Sequence, residues 1–306
     1  MDPIPPSNSP RVLFLGRTTL DVLYRLDRLP EEDTKVYARQ LQAVPGGPAL
    51  NAAITHSLLG GQAMLVSAVG AGPWAAHVRV ELERRGIRLL DLAHGTAYET
   101  PLCTVLVSNA NNTRTIVNPP LSTVPLPPLA GSWEAAIPAC WGAPPPVALV
   151  DGFHLAQTLP LLTSLHAAGT CICLDGGSWK PGTAELASLL TVAICSERFT
   201  VPGLDCGANA LFAWFAAKGV QHVAITRGAK SILASDRGRR FEIEIAPIDA
   251  ADTLGAGDVL HGAFCHQFAL QPEFEPALRR AAEIATLSCQ SLGIQGWAST
   301  APPRTL

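Results

Sequence analysis

The chain has 306 residues, 48% of them apolar and only 15% charged, a composition that excludes a disordered chain and leaves ample core for one large α/β domain or two small ones. Its formal net charge of −3 argues against nucleic acid as a partner, and no apolar stretch approaches the length needed to span a bilayer. Eight cysteines are spread through apolar surroundings with no C-x-x-C pair and no cysteine-histidine cluster at metal-ligand spacing, so most read as buried, reduced thiols of a cytoplasmic protein and not as a zinc site.

Residues 1–10 are proline-rich and lack both a basic start and an apolar run; they read as a flexible tail and not as a signal peptide. The apolar run 12–16 ends in glycine, as a buried first strand of a parallel sheet would. At its carboxyl end, where open α/β sheets place their ligands, comes the polar stretch Arg17-Thr18-Thr19-Leu20-Asp21. Asp21 could there accept hydrogen bonds from substrate hydroxyls, or be a solvated turn residue.

Residues 22–45 are strand-like and charged, with Leu29-Pro30-Glu31-Glu32-Asp33 as a turn, which suits an exposed flap better than a core hairpin. Gly46-Gly47-Pro48-Ala49-Leu50-Asn51 then opens a helix running to Leu59, with Pro48 in its first turn and Gly60-Gly61 as its stop. Asn51 alone in that turn offers a polar side chain to a ligand, although it could instead bond its own helix backbone. A strand over 63–70 and an amphipathic helix to Arg85 follow; the Gly70-x-Gly72 pair lacks the third glycine and downstream acid of a dinucleotide turn.

Residues 100–107 and 113–117 read as a hairpin joined by Ser108-Asn109-Ala110-Asn111-Asn112, so that 99–118 form a second flap. Residues 119–146 are a proline-dense connection to which no element is assigned. From Val147 the pattern alternates: strand 147–150, helix 155–168, strand 171–174, strand 191–195, helix 208–217, strand 223–226. Alternation of this kind predicts a parallel sheet covered on both faces, in a single domain over 11–300.

The stretch Asp252-Thr253-Leu254-Gly255-Ala256-Gly257-Asp258 lies between an alternating run, 241–246, and the apolar segment 259–270, and reads as strand, glycine turn and helix start. The glycines allow close backbone approach, and the first helical turn offers unpartnered N–H groups and the positive dipole end to an anion. Asp258 at that helix start is placed to accept the proton of a group attacking the anion's phosphorus. The same seven residues also fit a helix that Asp252 and Asp258 merely cap and charge. A last helical pattern runs over 275–291.

Two motifs in this order, the glycine pair with its downstream asparagine and the late Asp252-to-Asp258 stretch, resemble the ribokinase-like (PfkB-type) carbohydrate kinases over about residues 11–300. Within that family Leu20-Asp21-Val22, Asn112-Thr113-Arg114-Thr115-Ile116-Val117 and the form of the late motif are most similar to ketohexokinase-like members. The resemblance implies a mostly parallel sheet with helices on both faces and a small β lid, formed by 22–45 and 99–118, that excludes water. It implies Asp258 as catalytic base, the backbone of Gly255, Ala256 and Gly257 as anion hole, and Asp21, Gly47 and Asn51 as the contacts to a sugar. Thr226, Gly228 and Glu197 match nucleotide-binding positions, and Asp252 matches a monovalent-cation site. ATP with Mg²⁺, K⁺ at Asp252, and a homodimer through the lid are the implied cofactors and partner. Pro48 replaces a polar residue of many relatives, which leaves the sugar open. A nucleoside or other small-molecule kinase of the same fold, or a non-catalytic sugar- or nucleotide-binding regulator, are the rival readings.

Overall fold

The apolar run 12–15 has no polar alternation because both of its faces are covered. In the computed structural model, which describes residues 9–110, 113–129, 131–138, 141–205, 207–293 and 295–299, Val12 and Phe14 pack into one core and Leu13 and Leu15 into another. The expected tail at residues 1–8, the turn residues Asn111 and Asn112, and Cys140 and Cys206 lie outside the described residues.

Strands are numbered in chain order. The main sheet is built from β1 (Arg11–Leu15), β4 (Gln62–Ser67), β5 (Arg88–Asp91), β8 (Val147–Val150), β9 (Cys171–Gly176), β10 (Val192–Ser196), β11 (His222–Arg227), β12 (Lys230–Asp236) and β13 (Arg239–Ile243). Among the described residues its order is β13-β12-β11-β10-β9-β8-β1-β4-β5, parallel from β5 to β11 and antiparallel at β12 and β13. Helices α1 (Pro48–Leu58), α2 (Pro73–Arg84), α7 (Ala256–Leu270) and α8 (Phe274–Ser288) bury Leu50, Val78, Phe264 and Leu278 on one face. The other face is covered by α4 (Leu155–Ala167) and α6 (Ala208–Ala217), through Leu161, Leu165, Phe212 and Phe215, with the short α3 (Trp133–Ala136) and α5 (Thr183–Leu186) beside them.

A second sheet is formed by β2 (Thr19–Leu26), β3 (Gln40–Gly46), β6 (Leu102–Ser108) and β7 (Thr113–Val117) in the order β3-β2-β6-β7. The two expected flaps are thus one sheet, because β2 and β6 pair in parallel from Leu20↔Leu102 to Leu26↔Ser108. Asp21 consequently lies on β2 and not in a loop after β1.

The late motif is not fed directly by the alternating run before it. That run is β13, the outermost antiparallel strand of the main sheet, and residues 244–255 carry the chain back before α7 begins. β5 and β12 were not expected from the pattern: β5 is only four residues long, and β12 begins inside the Arg227-Gly228-Ala229-Lys230 turn. Cys171 and Cys173 do share a strand face, with their sulfurs 3.9 Å apart.

The helices that frame the site meet backbone to backbone. A Cβ on Gly262 of α7 would lie 2.3 Å from the Ala52 carbonyl oxygen of α1 and 2.7 Å from Thr55 Cβ. Only a glycine lets α1 and α7 approach this closely. Gly262→Ala is expected to push the helices apart and destabilise the protein by roughly 1–3 kcal/mol, the cost of overpacking a dense core. Chemical denaturation of the variant measures it; an unchanged midpoint would mean the contact is slack.

Candidate active site

Between the second sheet and the carboxyl ends of β1 and β8 lies a cavity of about 670 Å³. The first wall is the glycine pair. Gly47, at φ 100°, precedes α1, and a Cβ there would strike the Arg17 carbonyl oxygen at 2.3 Å. A Cβ on Gly46 would sit 2.1 Å from Asp21 Oδ2, so the small residue leaves room for that carboxyl group, which accepts a 2.7 Å bond from Thr19 Oγ1. Burial pushes the Asp21 carboxyl upward, against the lowering effects of the Thr19 bond and the Arg17 charge.

The opposite wall is the turn into α7. Gly255 is in the left-handed region at φ 72°, α7 starts at Ala256, and Val259 is the first residue to close a helical bond, to Gly255 O at 2.9 Å. N–H groups of the preceding turn therefore face the cavity side of a helix dipole. Nothing stands within 4 Å of where a Gly257 Cβ would be, so the chain leaves open space over that backbone.

Asn51 joins the two walls. Its Nδ2 donates to Asp258 Oδ2 at 2.6 Å, and its buried Oδ1 has no hydrogen-bond partner. The amide thus does not turn back on its own helix, and its oxygen is an acceptor left unsatisfied beside the cavity. Asp258 keeps some surface toward the cavity but is otherwise enclosed. Burial pushes it up to about 7, the Asp175 charge adds to this, and the Asn51 bond opposes it.

Two further carboxyl groups lie beneath. β8 and β9 each bring a buried aspartate to their carboxyl ends, Asp151 just past one strand and Asp175 within the other. Asp151 accepts from the backbone N–H groups of Arg17 at 2.8 Å, Ala49 at 3.2 Å and Phe153 at 2.9 Å, which ties β1 and α1 to β8. Burial nevertheless raises it to about 7. Asp175 Oδ2 has no hydrogen-bond partner and lies 3.6 Å from His261 Nδ1, which is 2.7 Å from Gly257 O.

Asp21, Gly47, Asn51, Gly255, Ala256, Gly257 and Asp258 all line this cavity; the other four sequence candidates do not. Glu197 and Thr226 are neighbours at the ends of β10 and β11, the Glu197 N–H donating to Thr226 O at 2.9 Å. Glu197 lines a second cavity of about 360 Å³, walled by Phe199, Leu211 and Arg227, and Gly228 turns the chain from β11 into β12. Asp252 is engaged by Arg25 Nη2 at 2.8 Å, by Leu254 N at 2.9 Å and by Gly293 N at 3.1 Å. A carboxylate already neutralised by a guanidinium does not fit a monovalent-cation site. Among the described residues no group of three or more His, Cys, Asp or Glu side chains could hold a metal.

Residues 9–137 and 180–301 match the family described as pfkB family carbohydrate kinase. The chain belongs to that family of kinases. It is 26% identical to a ribokinase of Bacillus subtilis over 298 residues, 93% of this chain and 94% of that protein. It is 28% identical to the ketohexokinase of Mus musculus over 107 residues, 35% of this chain and 36% of that protein. Among solved structures, a putative ribokinase from Agrobacterium tumefaciens superposes with a TM-score of 0.80 at 25% identity, covering 94% of each chain. The Arabidopsis thaliana ribokinase complexed with ribose and ATP superposes with a TM-score of 0.72 at 20% identity, covering 94% of this chain and 95% of that one. The fold is therefore ribokinase-like, as the sequence resemblance implied.

Asp151, Asp175 and His261 were not found from the sequence. The signal for the first two was present, since each ends an apolar strand of the parallel run, where ligands gather. His261 lies one turn beyond Asp258 and carried no such signal.

A raised carboxyl group has a definite sign in stability. A folded value of about 7 for Asp258 means that the unfolded chain loses this proton first, so stability falls as pH rises from about 4 to about 7. Asp258→Asn removes that loss while keeping an acceptor for Asn51. The variant is expected to melt higher than the wild type at pH 8 and close to it at pH 4.5, a difference read directly from thermal scans at both values.

Proposed function

We propose that the chain is an ATP-dependent phosphotransferase that phosphorylates a hydroxyl of a sugar or sugar derivative, with Asp258 as general base. The observation that carries this reading is the Asn51–Asp258 pair, held at 2.6 Å inside the cavity beside the glycine turn at the start of α7. Family membership supports the reaction class, and the Arabidopsis relative bound to ribose and ATP supports the donor and the kind of acceptor.

In this reading Asp21 and the free Asn51 Oδ1 accept bonds from acceptor hydroxyls, and Gly47 lets the acceptor approach the backbone. Asp258, ionised, takes the proton of the attacking hydroxyl as its oxygen forms a bond to the γ-phosphorus and the bond to the ADP oxygen breaks. The N–H groups of Gly255, Ala256 and Gly257, with the dipole of α7, stabilise charge on the transferred phosphoryl oxygens. Thr226, Gly228 and Glu197 are assigned to the nucleotide, at the carboxyl ends of β10 and β11 and outside the acceptor cavity. Mg²⁺ bound with the nucleotide would supply charge neutralisation at its phosphates, and Glu197 is the carboxylate of this chain that would help to hold it there. Asp252 is assigned to Arg25 and to no cation.

The β2-β3-β6-β7 sheet is the lid of this reading. Leu23, Val105 and Val107 form its small core, and Leu254 of the glycine turn packs against them. Such a cover excludes water that would otherwise compete for the phosphoryl group. A nucleoside acceptor is less well served, because Phe153, which lines the cavity, is already faced by Arg17 at 5.1 Å and Lys180 at 4.5 Å from the ring centroid.

Asp258→Asn is expected to lower kcat by roughly a hundredfold or more with little change in KM, the scale of a lost general base. In the wild type kcat/KM should fall as pH drops through about 7, because the base must be ionised and burial raises it. That midpoint belongs to the coupled carboxyl groups together. ADP release from ATP and Mg²⁺ across a sugar panel measures both; undiminished turnover in the Asn variant would remove Asp258 from the chemistry.

A further inference from the structure

The acceptor end of the cavity holds a cation that forms no salt bridge among the described residues. Arg17 follows β1, is partly buried and lines the cavity beside Thr19, Asp21 and Phe153. Other partly buried arginines meet carboxylates, as Arg25 does Asp252 and Arg85 does Glu81; Arg11 and Arg114 bond neutral oxygens. Among the described residues no carboxylate lies within ion-pair distance of Arg17. The nearby Asp151 is taken up by backbone N–H groups, including that of Arg17 itself, and Asp21 by the Thr19 hydroxyl. The Arg17 guanidinium instead stands over the Phe153 ring, 5.1 Å from its centroid. Stacking occupies the face of a guanidinium and leaves its N–H edge, a fork matched to carboxylate or phosphate oxygens.

The position separates this cation from the phosphoryl-transfer end. The Arg17 charge bears on Asp21, Cys103, Tyr98, His154 and Lys180, and is not among the charges that bear on Asp258, those of Asp175, His261 and Asp151. Arg114, which also lines the cavity, is tied to Thr253 Oγ1 at 3.1 Å, next to the glycine turn. Partly burying a guanidinium without a counter-charge costs free energy that a bound anion returns. The Arg17 charge acts on Asp21 in the same cavity without an ion-pair contact between them, so the Arg17 donors stay open to a ligand.

We infer that the acceptor carries an anionic group, a carboxylate or a phosphate ester, which Arg17 receives while Asp21 and Asn51 hold its hydroxyls. The inference rests on the acceptor site proposed above and narrows its substrate class from neutral sugars to sugar acids and sugar phosphates. Phe153 then acts as a platform that fixes the guanidinium.

The experiment compares matched acceptors: glucose with gluconate and 2-keto-3-deoxygluconate, fructose with fructose 1-phosphate and fructose 6-phosphate. Each is assayed for ADP release and, without ATP, for thermal stabilisation of the wild type, Arg17→Met and Phe153→Leu. A charged member is expected to be preferred at least tenfold in kcat/KM, and the acid and ester arms tell which anion it is. Arg17→Met should reduce the charged-to-neutral ratio roughly 10- to 100-fold, the range for a charge-assisted hydrogen bond, and Phe153→Leu should reduce it in the same direction. Preference for the neutral member of every pair, or an unchanged ratio in both variants, overturns the inference. So does the absence of any charged acceptor that binds or turns over. Arg17-dependent stabilisation by a charged sugar without ADP release would sink the kinase reading and leave the anion site standing; turnover of neutral sugars alone would do the reverse.

Discussion

The backbone contact of α1 with α7 is the constraint from which the candidate site follows. Gly262 lets the Ala52 carbonyl of α1 press against α7, and nearer the amino end of α7 the same approach brings Asn51 to Asp258. A side chain at position 262 would force the two helices apart and shift Asn51 relative to Asp258, whose bond is 2.6 Å. The glycine pair before α1 acts in the same way at the other wall, since Gly46 and Gly47 let Asp21 and the Arg17 backbone close in. Small residues thus set the distances, and polar ones use them.

Those distances collect negative charge. Asp151, Asp175 and Asp258 are brought together at the end of the parallel strands, away from bulk water, and two of them are raised to about 7. The fold holds them by different means: three backbone N–H groups on Asp151, one amide on Asp258, and a histidine within 3.6 Å of Asp175. Such a cluster is a poor device for stability and a good one for a base, because a carboxylate raised toward neutrality takes a proton more readily. One Asp175 oxygen is left without a hydrogen bond in this cluster.

How much of this was legible in the sequence depends on whether the signal is local. The strands 147–150 and 208–217 helix were read at the bounds the structure has, because their period and punctuation are self-contained. The two glycine motifs were legible for the same reason, and their meeting is a consequence of the fold. What escaped the reading was pairing at a distance. The union of two flaps through β2 and β6 joins residues about eighty positions apart, and no periodicity announces a parallel pair of that kind. The Asp252 contact was not legible because its partner, Arg25, lies on β2, far away in the chain. In sequence Arg17 is one more polar residue after a strand, and its place over Phe153 in the cavity follows only from the fold.

The late motif ties the two sheets together through three consecutive side chains. Asp252 pairs with Arg25 of β2, Thr253 accepts from Arg114 of β7, and Leu254 joins the apolar patch of Leu23, Val105 and Val107. Directly after them come Gly255 to Gly257, the proposed anion hole. A displacement of the second sheet therefore pulls on the segment that must present its N–H groups to the transferred phosphoryl. In the proposed mechanism this makes coverage of the acceptor and assembly of the hole one event, since neither Arg25 nor Leu254 can keep its contact if the sheet lifts. Binding energy from the acceptor's own hydroxyls and charge, gathered by β2 and the segment before it at Asp21 and Arg17, is thereby spent on positioning the groups that act on ATP.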